Sequence, residues 1–157
     1  MSSSDSRPGF LPVDSYLALP HTSNPWLVKN LIPVSGAALI YGSPKVGKTA
    51  CILQLACALS GGSKEWMGFN VVHQGVILYL QLDTPRSTWR LRFEGLKTAG
   101  IPFVSNNLLI ADRESLDVFP FDIIQPTHAA YLRNLVQMHR PLAVVVDTLR
   151  KAHSGDE

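Results

Sequence analysis

Apolar and polar positions along the chain fall into two regimes. Through residue 25 the chain is rich in Ser, Pro and Asp, with Pro8, Pro12, Pro20 and Pro25 spaced along it. That composition predicts a flexible arm over 1–25, with Trp26-Leu27-Val28 as the first apolar anchor. From Ala37 onward short apolar runs alternate with helical stretches. Ala37 to Tyr41 (AALIY) ends at Gly42 and predicts a buried strand. Lys48 to Ser60 predicts a buried helix stopped by Gly61-Gly62. Gly75 to Leu82 (GVILYLQL) predicts a second strand, and Pro85 to Ala99 a helix with Trp89, Phe93 and Leu96 on one face and Gly100 as its stop. Leu108 to Ala111 predicts a short third strand. Gln125 to His139 predicts a helix with Pro126 placed early, where proline is tolerated. Leu142 to Val146 predicts a fourth strand ended by Asp147. Strands alternating with helices predict an α/β fold with a mostly parallel sheet, and such sheets bind ligands at the carboxyl ends of their strands.

Composition narrows this only a little. The 157 residues are 46% hydrophobic and 17% charged, near the globular average of about 45–50% apolar. The balance of 14 Lys+Arg against 12 Asp+Glu leaves a formal charge of +2, so any nucleic-acid contact has to be local. Apolar runs fall far short of the roughly 20 residues that span a bilayer, and Met1 to Phe10 lacks the apolar core of a secretory signal. Cys51 and Cys57 lie within one helical segment and fit a reducing cytoplasm better than a disulfide framework.

Chemistry enters at the first strand-to-helix turn. Gly42-Ser43-Pro44-Lys45-Val46-Gly47-Lys48-Thr49 satisfies G-x-x-x-x-G-K-[ST], directly after a predicted strand and opening a predicted helix. Glycines let successive N–H groups curl inward into an anion nest, and the helix N-terminus adds partial positive charge. Lys48 is expected to reach the β- and γ-phosphates and the Thr49 hydroxyl to ligate Mg²⁺. Ala50 closes the set of nucleotide-binding positions. Lys45 is either a further phosphate contact or a solvated charge.

Two acids end apolar strands. Asp147 follows Leu142-Ala143-Val144-Val145-Val146, the pattern of a Walker B strand, and is expected to hold Mg²⁺ with Thr49. Its bland role is a turn-forming residue. Asp83 closes Leu78 to Leu82 and is either the acid that polarises an attacking water or the cap of the following helix, two roles that are compatible.

With these residues in view, the chain resembles the RecA-like P-loop ATPases. The nearest likeness is to the hexameric-helicase-like group of RepA-type replicative helicases and AAA-type ATPases. Trp26 to Pro33 and Gly36 to Thr49 look like that group's approach to its first core strand. Gly75 to Phe93 looks like its second strand, catalytic acid and Arg-containing helix, and Asp147 to Glu157 like the Walker B acid running into a His-x-Gly-x-Glu-like stretch. The resemblance covers about residues 26–157. It implies an ATPase that uses ATP and Mg²⁺, forms a homo-oligomeric ring and acts on single-stranded DNA in replication, recombination or repair. Lys48, Asp83 and Asp147 are then the catalytic set.

Two departures matter. The group usually has glutamate where this chain has Asp83, a carboxylate withdrawn by about one bond length, and displacements of about 1 Å can slow a tight site on the order of a hundredfold. Only ten residues follow Asp147, so the expectation is an N-terminal portion of a RecA-like core, incomplete at its C-terminus. Arg86, Arg90 and Arg92 are equivalent candidates for an arginine finger on sequence alone. Arg150 and Lys151 are either the start of a DNA-facing loop or solvated charges. His128, His139 and His153 have no metal-ligand spacing and suit surface or capping roles. Two other functions compete: a small-molecule or nucleotide kinase, with Asp83 and Arg86 holding the acceptor, and a nucleotide-binding assembly module without turnover.

Overall fold

The computed structural model describes residues 10–20 and 26–152. The rest of the predicted arm, residues 1–9 and 21–25, and the stretch from His153 to Glu157 lie outside the described residues. Within the arm, α1 (Val13–Leu17) is a single helical turn with no buried residue.

Next, β1 (Trp26–Val28) and β2 (Ile32–Pro33) form an antiparallel hairpin. Leu27 and Val28 bury themselves in the core, so the first apolar anchor is where the pattern put it. Helix α2 (Lys48–Cys57) begins at the glycine-rich loop and passes into a wider π turn over Ala58–Gly62. Gly61 in that turn has φ 112°, a left-handed conformation that only glycine adopts without cost. Gly62 lies so close to the Pro102 carbonyl that a β-carbon there would clash with backbone. A second hairpin, β3 (Glu65–Trp66) with β4 (Phe69–Asn70), follows; the bridge between Val28 and Val71 joins it to the first. Neither hairpin is anticipated from the apolar pattern, since each strand is too short to show a period.

The remaining elements are β5 (Ile77–Gln81), α3 (Arg86–Thr98), β6 (Leu108–Asp112), α4 (Pro126–His139) and β7 (Ala143–Asp147). All start or stop within about two residues of the predicted positions. Gly100, at φ 68°, ends α3: its N–H bonds the Lys97 carbonyl at 3.0 Å and the Ile101 N–H bonds Leu96 at 2.9 Å. These two bonds satisfy carbonyls the last turn leaves open. Pro126 stands in the first turn of α4, where its missing N–H costs nothing.

β5 is central in a three-stranded parallel sheet of order β6-β5-β7. Alternation along β5 divides the molecule into layers. Ile77 and Tyr79 face a core built with Leu53, Leu55, Ala56 and Cys57 of α2 and Trp89 of α3. Leu78, Leu80 and Leu82 face the other way, against Leu116, Phe121, Ala152 and the half-buried Tyr131, Leu132 and Leu135 of α4. The sheet thus lies between α2 and α3 on one side and α4 on the other. This is a mixed α/β architecture with a parallel sheet, consistent with a P-loop NTPase core.

The predicted strand Ala37–Tyr41 is corrected. The segment joins no ladder, and Leu39 and Tyr41 are 70% and 86% exposed. An apolar run states only that burial would be favourable; a strand also needs a partner edge, and none of the three sheet strands hydrogen-bonds this segment. Among the described residues no helix is long and apolar enough to cross a membrane.

Candidate functional site

The carboxyl ends of β5, β6 and β7 carry a polar row. The ladder register aligns Gln81 with Asp147 of β7 on one side and with Asp112 of β6 on the other. Aligned residues of parallel strands project to the same face, here the face covered by α2 and α3. The helices contribute accordingly: Thr49 in the first turn of α2 reaches Asp147, and Arg86 in the first turn of α3 reaches Asp112.

The loop from Gly42 to Gly47 leads into α2. Gly47, at φ 91°, is the left-handed cap of the helix, and Lys45 is also left-handed at φ 65°. Left-handed residues interspersed in a tight turn swing neighbouring N–H groups to one side, the geometry of an anion nest, and here it is continued by the free N–H groups of a helix start. The Lys48 ammonium folds back over the loop and donates to the carbonyls of Gly42 and Ser43, each at 2.8 Å. The loop itself is exposed, so it offers both N–H groups and a cation to an anion arriving from solvent.

Asp147 is held by neutral donors. The Tyr79 hydroxyl donates to Oδ2 at 2.9 Å and the Thr49 hydroxyl makes a longer contact with Oδ1 at 3.4 Å. Tyr79 is fully buried, and burial together with the adjacent carboxylate pushes its phenol far above the ordinary range, so it stays a donor. Its ring is fixed edge-on to Trp89 at 5.0 Å. Among the described residues no salt bridge neutralises Asp147.

Asp112 is the opposite case. Arg86 forks onto it with Nε to Oδ2 and Nη2 to Oδ1, both at 2.7 Å. The N–H groups of Glu114 and Ser115 add bonds to Oδ1 at 3.0 and 2.9 Å. The guanidinium is the main reason its carboxyl titrates at about 2, with the Ser115 hydroxyl and backbone bonds helping against burial.

The residues fit a hard cation with a polyphosphate. Mg²⁺ takes oxygen donors, usually one or two carboxylates with substrate phosphates completing the shell. A hydroxyl and an unneutralised carboxylate oxygen 3.4 Å apart, one turn from an anion nest, are such a donor set. Among the described residues no group of three or more His, Cys, Asp and Glu side chains could hold a metal unaided.

Compared with known proteins, residues 3–157 match a family model described as an AAA domain. The chain belongs to that family. Its members are AAA-type P-loop ATPases, so the AAA domain brings nucleotide binding to this chain, typically with Mg²⁺. No curated protein and no solved structure matches.

Within the AAA domain, the residues singled out from sequence separate. Thr49 and Asp147, 98 positions apart in the chain, are brought together, with Lys48 and the loop from Gly42 to Ala50 beside them. Asp83 is exposed beyond the end of β5. It does not cap α3, whose capping position is Pro85 without a side-chain bond. Of the arginines, Arg86 is engaged by Asp112, Arg90 pairs with Glu94 at 3.1 Å, and Arg92 lies over the Trp89 ring at 5.3 Å. His128 accepts the Asp122 N–H at 3.1 Å, a bond to the loop before α4 rather than a helix cap. Cys51 and Cys57 are free thiols, and burial pushes Cys57 up to about 11. Sequence reasoning passed over Tyr79, Gln81 and Asp112. The available signal was period two: Tyr79 and Gln81 alternate onto one face of a strand that otherwise reads as uniformly apolar, and Leu108 to Asp112 (LLIAD) has the same apolar-run-then-acid form as the strand ending in Asp147.

Proposed function

We propose that this AAA domain is the nucleotide-gripping part of a RecA-like, helicase-type ATPase, binding ATP with Mg²⁺ and hydrolysing it in a ring of like subunits on single-stranded DNA in the cytoplasm. The observation that carries the reading is the meeting of Thr49 and Asp147 at 3.4 Å beside the glycine-rich loop. Chance does not readily join a loop of this pattern to an unneutralised acid from a strand so distant in sequence. When bound, Mg²⁺ would offset charge on the β- and γ-phosphates.

The chain's own groups divide the remaining work. Lys48, released from the Gly42 and Ser43 carbonyls, turns its ammonium to the phosphate oxygens. The loop N–H groups and the α2 N-terminus fix the phosphates in place. Tyr79 keeps Asp147 oriented toward Thr49. Asp83, exposed at the same edge of the sheet, is the group available to accept a proton from the attacking water.

The test is titration of a fluorescent ATP analogue with Mg²⁺. Binding should be saturable and lost by at least tenfold in Lys48→Ala; binding indifferent to that substitution overturns the proposal. Phosphate release stimulated by single-stranded DNA supports the helicase-type assignment, whereas phosphate transfer to a nucleoside would make the protein a kinase. Turnover that appears only in Asp83→Glu would identify a nucleotide-binding module with its hydrolysis tuned down.

A further inference from the structure

Gln81 ends β5 at the middle of the polar row, only 1% exposed, and among the described residues its Oε1 has no hydrogen-bond partner. Buried polar atoms almost always find partners, so an orphan amide oxygen between two aspartates calls for a physical account. The nearby protein donors are committed elsewhere. Tyr79 and Thr49 give their hydroxyl protons to Asp147, and Arg86 is spread over Asp112. Trp89 Nε1 and Arg92 Nη1 are buried donors without partners among the described residues, but neither bonds Gln81.

The residue type narrows what Oε1 is for. A carboxylate at this place would align three acids, at 112, 81 and 147, across adjacent strands, and like charges directly opposite one another destabilise a sheet. A methionine or leucine would pack but accept nothing. A carboxamide supplies an acceptor with no charge. Its aligned neighbour on β7 is the acid poised for the cation, and Mg²⁺ characteristically keeps several waters whose protons need acceptors. A water shared between a carboxylate and a neutral amide oxygen is held by both and oriented by both.

We infer that Gln81 is a positioning residue whose Oε1 accepts a hydrogen bond from a water in the shell of the cation bound at Thr49 and Asp147. The inference rests on the nucleotide reading above and adds to it a residue outside the phosphate loop and the strand-end acids. Groups that orient a metal's ligands from behind typically change metal affinity by about 10–100-fold when removed. Gln81 belongs to that class.

Mn²⁺ serves as the probe, its free concentration followed by electron paramagnetic resonance in the presence of a non-hydrolysable ATP analogue. Gln81→Met, matched in length but without the oxygen, should bind Mn²⁺ about tenfold more weakly. Its affinity for the analogue without metal should stay within about twofold of wild type. Mn²⁺ affinity equal to wild type overturns the inference and leaves Oε1 to a structural water. Gln81→Glu, which keeps an oxygen at the same reach, should bind Mn²⁺ at least as tightly as wild type. A tenfold loss there, in protein whose circular dichroism and urea unfolding show it folded, overturns the inference whether or not the methionine variant folds. If the wild type binds no analogue, the nucleotide reading falls first; if it does and the Gln81 variants match it, only this inference falls.

Discussion

Two aspartates end the two strands that flank β5, on the same face of the same sheet and at the same level of the register. Asp112 is clamped by the Arg86 guanidinium and two backbone N–H groups. Among the described residues, Asp147 is held by the hydroxyls of Tyr79 and Thr49 alone. The first carboxylate already has its counter-charge and therefore serves the fold, tying the start of α3 to the β6 edge. The second is oriented but, among the described residues, has no cationic partner, which is the basis for proposing it as the acid that meets a cation. What a strand-end acid does is thus decided by whether its donors are charged or neutral.

The sharpest way to break this comparison is to neutralise each acid in turn. Asp147→Asn keeps the side chain's size and one oxygen that can still accept from Tyr79, so the protein should fold; Mg²⁺ enhancement of ATP-analogue affinity should fall about a hundredfold. If it does not, Asp147 is only a turn residue. Asp112→Asn should do the reverse. Analogue affinity should stay within about twofold, while urea unfolding should show a loss of about 1–2 kcal/mol. That range reaches below the roughly 1.5–3 kcal/mol that bonds to charged groups contribute, because the Arg86 side chain is 53% exposed and solvent screens the pair.

Tyr79→Phe comes next in size. It removes one buried hydrogen bond to Asp147 at 2.9 Å, worth about 1 kcal/mol or roughly fivefold, and the loss should appear in Mg²⁺-dependent binding rather than in metal-free binding. The finest distinction lies in the acid limb of stability. Asp112 titrates at about 2 in the fold against an ordinary 3.8. Its pairing therefore stabilises the fold fully above about pH 4, and that contribution is lost as pH falls toward 2. Unfolding measured from pH 5 to pH 2 should accordingly fall less steeply in Asp112→Asn than in wild type. Equal slopes would mean that the clamp contributes no linkage.

Much of the framework was legible because its signals are local. The glycine stop after α3, the early proline of α4 and the uniform apolar runs of β5 and β7 each act over a few neighbouring residues. The failure at Ala37–Tyr41 shows the limit. Its residues are as apolar as those of β7, but hydrophobicity does not name a ladder partner, and the segment lies exposed. The two hairpins were missed for a related reason: strands of two or three residues carry no period to read.

By itself the sequence determined the glycine-rich loop proposed to hold phosphate, because backbone freedom at Gly47 and the chemistry of Lys48 and Thr49 are properties of contiguous residues. It also determined where the sheet strands and main helices run, because those follow from periodicity and punctuation. Only the tertiary structure decided which strand-end acid is free. Leu108 to Asp112 and Leu142 to Asp147 read alike in one dimension. Arg86 and Thr49 reach their respective acids only once α3 and α2 lie on one face of the sheet, and Gln81 stands between those acids only through the parallel register. Charge compensation depends on distances of a few ångströms between residues tens of positions apart, and those distances exist only in the folded chain.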